Sequence, residues 1–314
     1  MQTQNDNSPE LSNYKIVVVV PAFNEERFIG SVVLKLKQFP IEVLVIDDGS
    51  SDKTCEIAQA AGATTFCLPK NQGKGAALNV GFQQARQSRP DAVVVIDADG
   101  QHLPEELPRV VAPILTGQAD IVVGSRYIEN TSNTPKARRI GHKLINLATS
   151  VPSGIVSTDS QSGFRAFSPR ALDLFLFKSV DFAVESEMQF LAHEHKLKLI
   201  EVPITIRYTD KAKRSAVGQG VIVLNGILRL VGQYRPLMFF TIPGLTFLLT
   251  GIIWGGIVVR NYIRTSQLAV GYAMITLLLS IMGLIMLSTG FTLHSIRALL
   301  VDMFEASSRK TKND

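Results

Sequence analysis

The sequence predicts an α/β fold with a mostly parallel sheet, followed by an interfacial helix and two transmembrane helices. Three observations lead there. From Lys15 to Val123, short β-branched runs alternate with amphipathic helical segments, the pattern of parallel strands joined by right-handed crossovers. Ala92 to Ile96 is apolar throughout, as in a strand covered on both faces, and it stops at two closely spaced aspartates, Asp97 and Asp99. Near the carboxyl end, Pro236 to Val259 is 24 residues without a charge and Leu268 to Leu293 is 26. At about 1.5 Å per residue, each outreaches a hydrocarbon core of about 30 Å.

Taken in order, the polar stretch 1–13 contains no apolar core of a secretory signal, which predicts that the bulk of the chain stays in the cytoplasm. Lys15 to Val20 is a strand. It leads through Pro21, Ala22, Phe23, Asn24 and Glu25 into an amphipathic helix with Phe28, Ile29, Val32, Val33 and Leu36 on one face and Asn24 as its cap. Glu42 to Ile46 is a second strand ending in Asp47-Asp48-Gly49-Ser50, and a helix follows that closes at Gly62. Thr64 to Leu68 is a third strand, running into Asn71-Gln72-Gly73-Lys74-Gly75 and a helix to about Ser88.

The Ala92 strand comes next, then a helix opened by Pro104, then the strand Asp120 to Val123 ending in Gly124-Ser125-Arg126. Asn130 to Pro135 reads as a loop, Ala137 to Ser150 as a helix and Val151 to Ser160 as a loop again. Gln161 to Arg165 enters a strand or turn, Pro169 opens a short helix, Glu185 to His195 is helical, and Lys198 to Arg207 is a last strand. Val217 to Tyr234 is apolar around most of its circumference except for Asn225, Arg229 and Gln233, the stripe of a helix lying in a membrane interface. The expected divisions are thus 1–13, a catalytic-type α/β domain over 14–210, a basic and amphipathic segment over 211–235, a transmembrane hairpin over 236–294 and a basic tail over 295–314.

The net charge of +5 is partly concentrated around the hairpin. Lys211, Lys213, Arg214, Arg229 and Arg235 precede it, and Arg297, Arg309, Lys310 and Lys312 follow it. That bias puts both flanks, and so both termini, in the cytoplasm, with Arg260 and Arg264 in the connecting loop weakening the asymmetry without reversing it. Such flanks suit anionic lipid headgroups, whereas a nucleic-acid surface would interleave aromatics with its basic residues. Cys55 and Cys67 are the only cysteines, consistent with a reducing compartment. Gly251 and Gly255 have the small-xxx-small spacing of helix contacts, which admits a homo-oligomer.

Between Lys15 and Arg126 every strand end carries polar or glycine residues, and in an open parallel sheet ligands bind beyond the carboxyl ends of the strands. Asp97 and Asp99 would raise each other's pKa unless a cation lay between them, and Gln101 adds a neutral oxygen for a hard divalent ion. A polar strand end with a capping aspartate accounts for the same residues.

The order of the segments Pro21-Ala22-Phe23-Asn24-Glu25, Asp47-Asp48-Gly49-Ser50, Gly73-Lys74-Gly75, Asp97-Ala98-Asp99-Gly100-Gln101-His102, Gly124-Ser125-Arg126 and Ser162-Gly163-Phe164-Arg165 resembles family 2 glycosyltransferases. The resemblance is to dolichyl- and polyprenyl-phosphate sugar synthases of the dolichol-phosphate mannose synthase type, over about Tyr14 to Tyr208. It implies a GT-A fold, a nucleotide-diphosphate sugar donor and inversion at the anomeric carbon. Pro21, Ala22, Asn24, Glu25, Asp47, Asp48, Lys74, Asp97 and Ala98 would then face the donor. Asp97, Asp99 and Gln101 would carry Mg²⁺ or Mn²⁺ on its diphosphate, Asp99 being catalytic through that ion. For Glu25 a first-turn carboxylate, and for Lys74 a solvated side chain, are equal readings.

An alcohol acceptor needs a general base, but a lipid monophosphate is already an anion and needs cations instead. The resemblance puts Ser125, Arg126 and Arg165 beside that phosphate, Arg126 and Arg165 as catalytic arginines with forks matched to phosphate oxygens and Arg138 and Arg139 closing over it. Asp159 is expected to orient Arg165, and Glu185 and Glu187 fall near the active site in relatives. The chain departs from the pattern after its last strand, where the region Tyr208 to Ser215 keeps basic character without the usual spacing. The expected reaction is transfer of one sugar to polyprenyl or dolichyl phosphate at the cytoplasmic membrane face. The alternatives are a neutral lipid or polysaccharide acceptor, a non-catalytic membrane scaffold, and a sugar-phosphate nucleotidyltransferase. A processive synthase would show Gln-X-X-Arg-Trp, but Trp254, the only tryptophan, lies inside a span; a nucleotidyltransferase would open on a Gly-rich basic loop where this chain has Pro21 to Glu25.

Overall fold

The computed structural model describes residues 9–128, 136–179, 183–207 and 216–311. A seven-stranded sheet organises the first unit, up to Ile227, in the order β3-β2-β1-β4-β6-β5-β7. Its strands are β1 (Ile16–Ala22), β2 (Glu42–Asp47), β3 (Thr64–Cys67), β4 (Ala92–Val95), β5 (Ile121–Ser125), β6 (Arg165–Phe167) and β7 (Leu199–Pro203). β1 and β4 are buried along their whole length, as their uninterrupted apolar runs require.

Six strands are parallel. β6 alone runs the other way, inserted between β4 and β5 so that Arg165 pairs with both Val95 and Val123. A sequence reading of "strand or turn" there could not supply the direction. That insertion places Arg165 at the centre of the sheet, where side chains have no solvent, and it decides the arginine's role below.

The crossover helices α1 (Ile29–Leu36), α2 (Thr54–Ala60), α3 (Lys74–Gln87) and α4 (Leu107–Leu115) cover the sheet, α1 and α4 with buried stripes Ile29-Val32-Val33-Leu36 and Leu107-Val110-Val111-Ile114. α1 begins five residues after Asn24, so the expected cap is displaced: Asn24 has φ +55° and belongs to the loop. The remaining helices of this unit are α5 (Lys136–Ser153), α6 (Pro169–Leu174), α7 (Val184–Glu194) and most of α8 (Ala216–Tyr234).

The second unit runs from Leu228 and is a hairpin of α9 (Pro236–Thr265) and α10 (Val270–Thr311), both long and apolar enough to cross a membrane. Most of their large apolar side chains are exposed, among them Ile252, Ile253, Leu277 and Ile285. The glycines explain how the pair packs. A Cβ on Gly251 would lie 2.6 Å from Ser280 Oγ, and one on Gly283 would lie 2.7 Å from the backbone nitrogen of Leu248. Gly255 likewise faces Thr276, so its spacing with Gly251 serves contact within the hairpin and gives no argument for self-association.

Candidate active site

The first loops after β1 and β2 are stitched together. Asn24 donates its backbone N–H to Ser50 Oγ (2.9 Å) and accepts from the Ser51 N–H on Oδ1 (2.9 Å), while the Glu25 N–H donates to Thr54 Oγ1 (2.8 Å). Asp47 accepts from the Ser50 N–H, and Asp48 accepts from the N–H groups of Gln72 (2.8 Å) and Gly73 (2.7 Å), one on each oxygen. These two buried carboxylates therefore hold the loops after β1, β2 and β3 in shape. Gly49 has φ +71°, and a Cβ there would sit 2.4 Å from the Lys70 carbonyl carbon, so only glycine lets the two loops approach.

Cys55 at the start of α2 and Cys67 at the end of β3 are disulfide-bonded, with Cα atoms 6.4 Å apart, which corrects the expectation of two reduced thiols. Their sulfurs also lie close to an Asp47 oxygen, but a disulfide has no thiolate to offer a metal.

The titratable side chains gather at the end of β4. Lys74, at the start of α3, donates from Nζ to Asp97 Oδ1 (2.6 Å) and to Glu185 Oε1 on α7 (2.5 Å). Burial opposes the lysine's charge, yet the two carboxylates outweigh it and raise its pKa. Lys74 is thus neither solvated nor idle: it bridges the buried Glu185 and the half-buried Asp97. Asp97 is held below the usual carboxylate range against its own burial, by Lys74 first, with Arg126 adding to it. Asp99 goes the other way. Burial, then the charges of Asp97 and Glu25, push it up to about 6. Such a pair suits a hard divalent ion, because a cation among oxygen ligands removes the repulsion that raises Asp99. The Asp97 carboxylate is so closely backed that a Cβ on Gly163 would lie 2.0 Å from Oδ2. His102 is buried beside Phe164 with ring centroids 5.5 Å apart, and burial brings its pKa down to about 4, so it is a neutral wall of the site. The turn Gly100-Gln101 is anchored where the Gln101 carbonyl accepts from the Arg207 N–H (2.9 Å).

The arginines divide. Arg126, at the end of β5, gives its backbone N–H and its Nε to Asp159 Oδ2 at 3.1 and 2.5 Å, and its charge is felt by Asp97 and His102. Arg165 is 1% exposed. Its donors go to the carbonyls of Ser162 (2.8 Å), Ser160 (2.7 Å) and Glu185 (3.1 Å), so it braces the loop before β6 against α7 and corrects the expectation that it meets a phosphate. Asp159 likewise orients Arg126 by hydrogen bonds, where Arg165 was expected. Ser125 is fully buried with its hydroxyl against Thr158 Oγ1 (2.6 Å), which removes it from the acceptor group. Glu185 joins the site through Lys74; Glu187 instead caps the N–H groups of Lys178 and Ser179. Arg138 and Arg139 fall in the first turns of α5, but their side chains, like all of Tyr208 to Ser215, lie outside the described residues.

Residues 17–176 match the model of glycosyl transferase family 2. Among similar proteins is a UDP-N-acetylglucosamine–dolichyl-phosphate N-acetylglucosaminyltransferase of Methanococcus voltae, 32% identical over 62% of this chain and 86% of that protein. Another is an undecaprenyl-phosphate mannosyltransferase of Micrococcus luteus, 30% identical over 66% of this chain and 91% of that one. Among solved structures, glucosyl-3-phosphoglycerate synthase from Mycobacterium tuberculosis with Mn²⁺, UDP and product superposes with a TM-score of 0.55 at 25% identity, covering 72% of this chain and 82% of that one. A sheet that delivers an Asp-X-Asp pair to its carboxyl edge, matched over half its length by one family model, makes this chain a glycosyltransferase belonging to glycosyl transferase family 2.

Proposed function

We propose that this glycosyltransferase moves a single sugar from a nucleotide-diphosphate donor to a polyprenyl phosphate, with inversion, on the cytoplasmic face of a membrane. The observation that carries the reading is Arg126: a buried guanidinium, fixed by Asp159, at the end of β5, separated only by β6 from the strand that leads into Asp97 and Asp99, and close enough for its charge to lower the Asp97 pKa. A cation there is of use to an anionic acceptor and of little use to a neutral alcohol. The two relatives named above differ in their sugar and agree in using a polyprenyl-type phosphate, which supports the acceptor class and leaves the sugar open.

In this reading the loops of Asn24-Glu25 and Asp47-Asp48 form the nucleoside end of the donor site. Asp97, Asp99 and Gln101 would hold Mg²⁺ or Mn²⁺, which supplies charge neutralisation for the departing diphosphate. Lys74 stands against Asp97 and keeps that carboxylate ionised. An oxygen of the lipid phosphate, oriented by Arg126, forms the new bond to the anomeric carbon as the bond to the donor's β-phosphate oxygen breaks. The electron pair leaves with the nucleoside diphosphate, and no proton has to be removed from the nucleophile.

The membrane side of the reading rests on α9 and α10 and on two apolar helix faces. α5 exposes Leu144, Leu147 and Val151 at helical spacing, and α8 exposes Leu224 and Leu228 beside Asn225 and Arg229. Membranes containing the full chain, given undecaprenyl phosphate and each of a panel of labelled nucleotide sugars, should form a labelled lipid that mild acid releases. Label appearing only in protein or in a neutral glycolipid would reject the proposal.

A further inference from the structure

Glu201 stands on β7 directly beside Val123 of β5, two residues before the end that bears Ser125 and Arg126. Its side chain points along that end and collects donors. Oε1 accepts from Ser157 Oγ (2.6 Å) and from the N–H groups of Thr158 (2.9 Å) and Asp159 (3.4 Å), while Oε2 accepts from Thr158 Oγ1 (2.6 Å) and again from the Thr158 N–H (3.1 Å). The loop so gripped is the one that carries Asp159. Asp159 is fully buried, donates its own N–H to Ser157 Oγ (3.2 Å), and takes both the backbone N–H and the Nε of Arg126 on one oxygen. Thr158 Oγ1 adds a second link, to Ser125 Oγ.

A path of hydrogen bonds therefore runs from the Glu201 carboxylate through residues 157–159 to the guanidinium of Arg126. Every partner of Glu201 on this path is a donor. An amide in its place would, in either orientation, set its NH₂ against the Thr158 N–H, which lies 2.9 Å from one carboxylate oxygen and 3.1 Å from the other, so that donor faces donor. Without that grip the loop is free to shift, and Asp159 with it. A shift of well under an ångström at Asp159 is passed to Arg126, because the ion pair is short and lacks room to adjust.

We propose that Glu201 is a positioning residue for the acceptor: through Asp159 it fixes the orientation in which Arg126 receives the phosphate. This rests on the reading above that Arg126 meets the acceptor phosphate.

Binding measures it directly. The full chain in nanodiscs is titrated with farnesyl phosphate, a soluble prenyl monophosphate, and separately with UDP and with GDP in Mn²⁺. Glu201→Gln should weaken farnesyl phosphate about tenfold, the usual size of a loss at a residue that orients a ligand-binding group. Nucleotide affinity should stay within about twofold of wild type.

The double variant Glu201→Gln/Arg126→Ala separates positioning from general support. If Glu201 acts through Arg126, it should bind farnesyl phosphate no more than about twofold worse than Arg126→Ala alone. Equal losses for farnesyl phosphate and nucleotide, or a full second tenfold loss in the double variant, overturn the proposal. Unchanged farnesyl phosphate affinity in Arg126→Ala itself would instead strike the reading beneath it. Should Glu201→Gln fail to accumulate folded, Thr158→Val, which deletes the hydroxyl shared by Glu201 and Ser125, should weaken farnesyl phosphate about threefold, and no change there overturns the proposal equally.

Discussion

Replacing Asp99 by asparagine should make the metal-free protein more stable while abolishing its activity. Burial and the neighbouring charges of Asp97 and Glu25 raise Asp99 from 3.8 to about 6. At about 1.36 kcal/mol per pH unit, ionising Asp99 in the fold costs up to roughly 3 kcal/mol at pH 7. The sign follows from the raised value: the stabilising contribution is complete below about pH 4, where Asp99 is protonated folded or unfolded, and is lost as pH rises through about 6. Asparagine never carries the charge.

In EDTA at pH 7, Asp99→Asn should therefore melt about 5–10 °C above wild type, with the two converging near pH 4. Addition of Mn²⁺ should raise the wild-type transition and leave the variant's almost unmoved, since one of the two carboxylates is gone. Calorimetry of the detergent-solubilised full chain reads all of these. A variant that melts below wild type in EDTA at pH 7, or that gains as much as wild type from Mn²⁺, would refute the account of this carboxylate pair.

Other changes follow from the same geometry. Gly163→Ala puts a methyl group 2.0 Å from Asp97 Oδ2 and should cut turnover at least a hundredfold through displacement of the carboxylate, seen as weaker Mn²⁺ binding with nucleotide loops undisturbed. Lys74→Met leaves the buried Glu185 and the half-buried Asp97 without their shared cation, and should cost about 3 kcal/mol in denaturant unfolding, the low end for a broken buried pair. Arg165→Met removes the brace on the carbonyls of residues 160, 162 and 185; it should lower the melting temperature without a selective loss of acceptor affinity, and a selective loss would restore Arg165 to the acceptor group.

What the sequence exposes and what it hides divide along physical lines. The alternation of strand and helix, the buried run before Asp97 and the two uncharged spans all follow from local periodicity, and the structure has them. The pairing of Lys74 with Asp97 and Glu185 joins residues 23 and 111 positions apart, so only the closed sheet could reveal it. Gly-Phe-Arg gives no sign that β6 enters the sheet in reverse, and it is that reversal which buries Arg165. Asn24 looks like a helix cap because Asn commonly is one, but the side chain finds the Ser51 N–H instead and leaves α1 to start at Ile29. Glu201 reads as one polar residue on an ordinary strand. Its five donor contacts come from a loop more than forty positions earlier, a distance across which no spacing rule operates.

The measurement closest to the central claim compares undecaprenyl phosphate with undecaprenol, the same lipid lacking the phosphate, as competing acceptors for the purified full chain with Mn²⁺. Wild type should glycosylate the phosphate alone, and Arg126→Ala should lose about a hundredfold in kcat/KM for it while keeping nucleotide affinity. Glycosylation of the free alcohol at a comparable rate, or an Arg126→Ala variant as active as wild type on the phosphate, would contradict a site built around a buried arginine and an anionic acceptor.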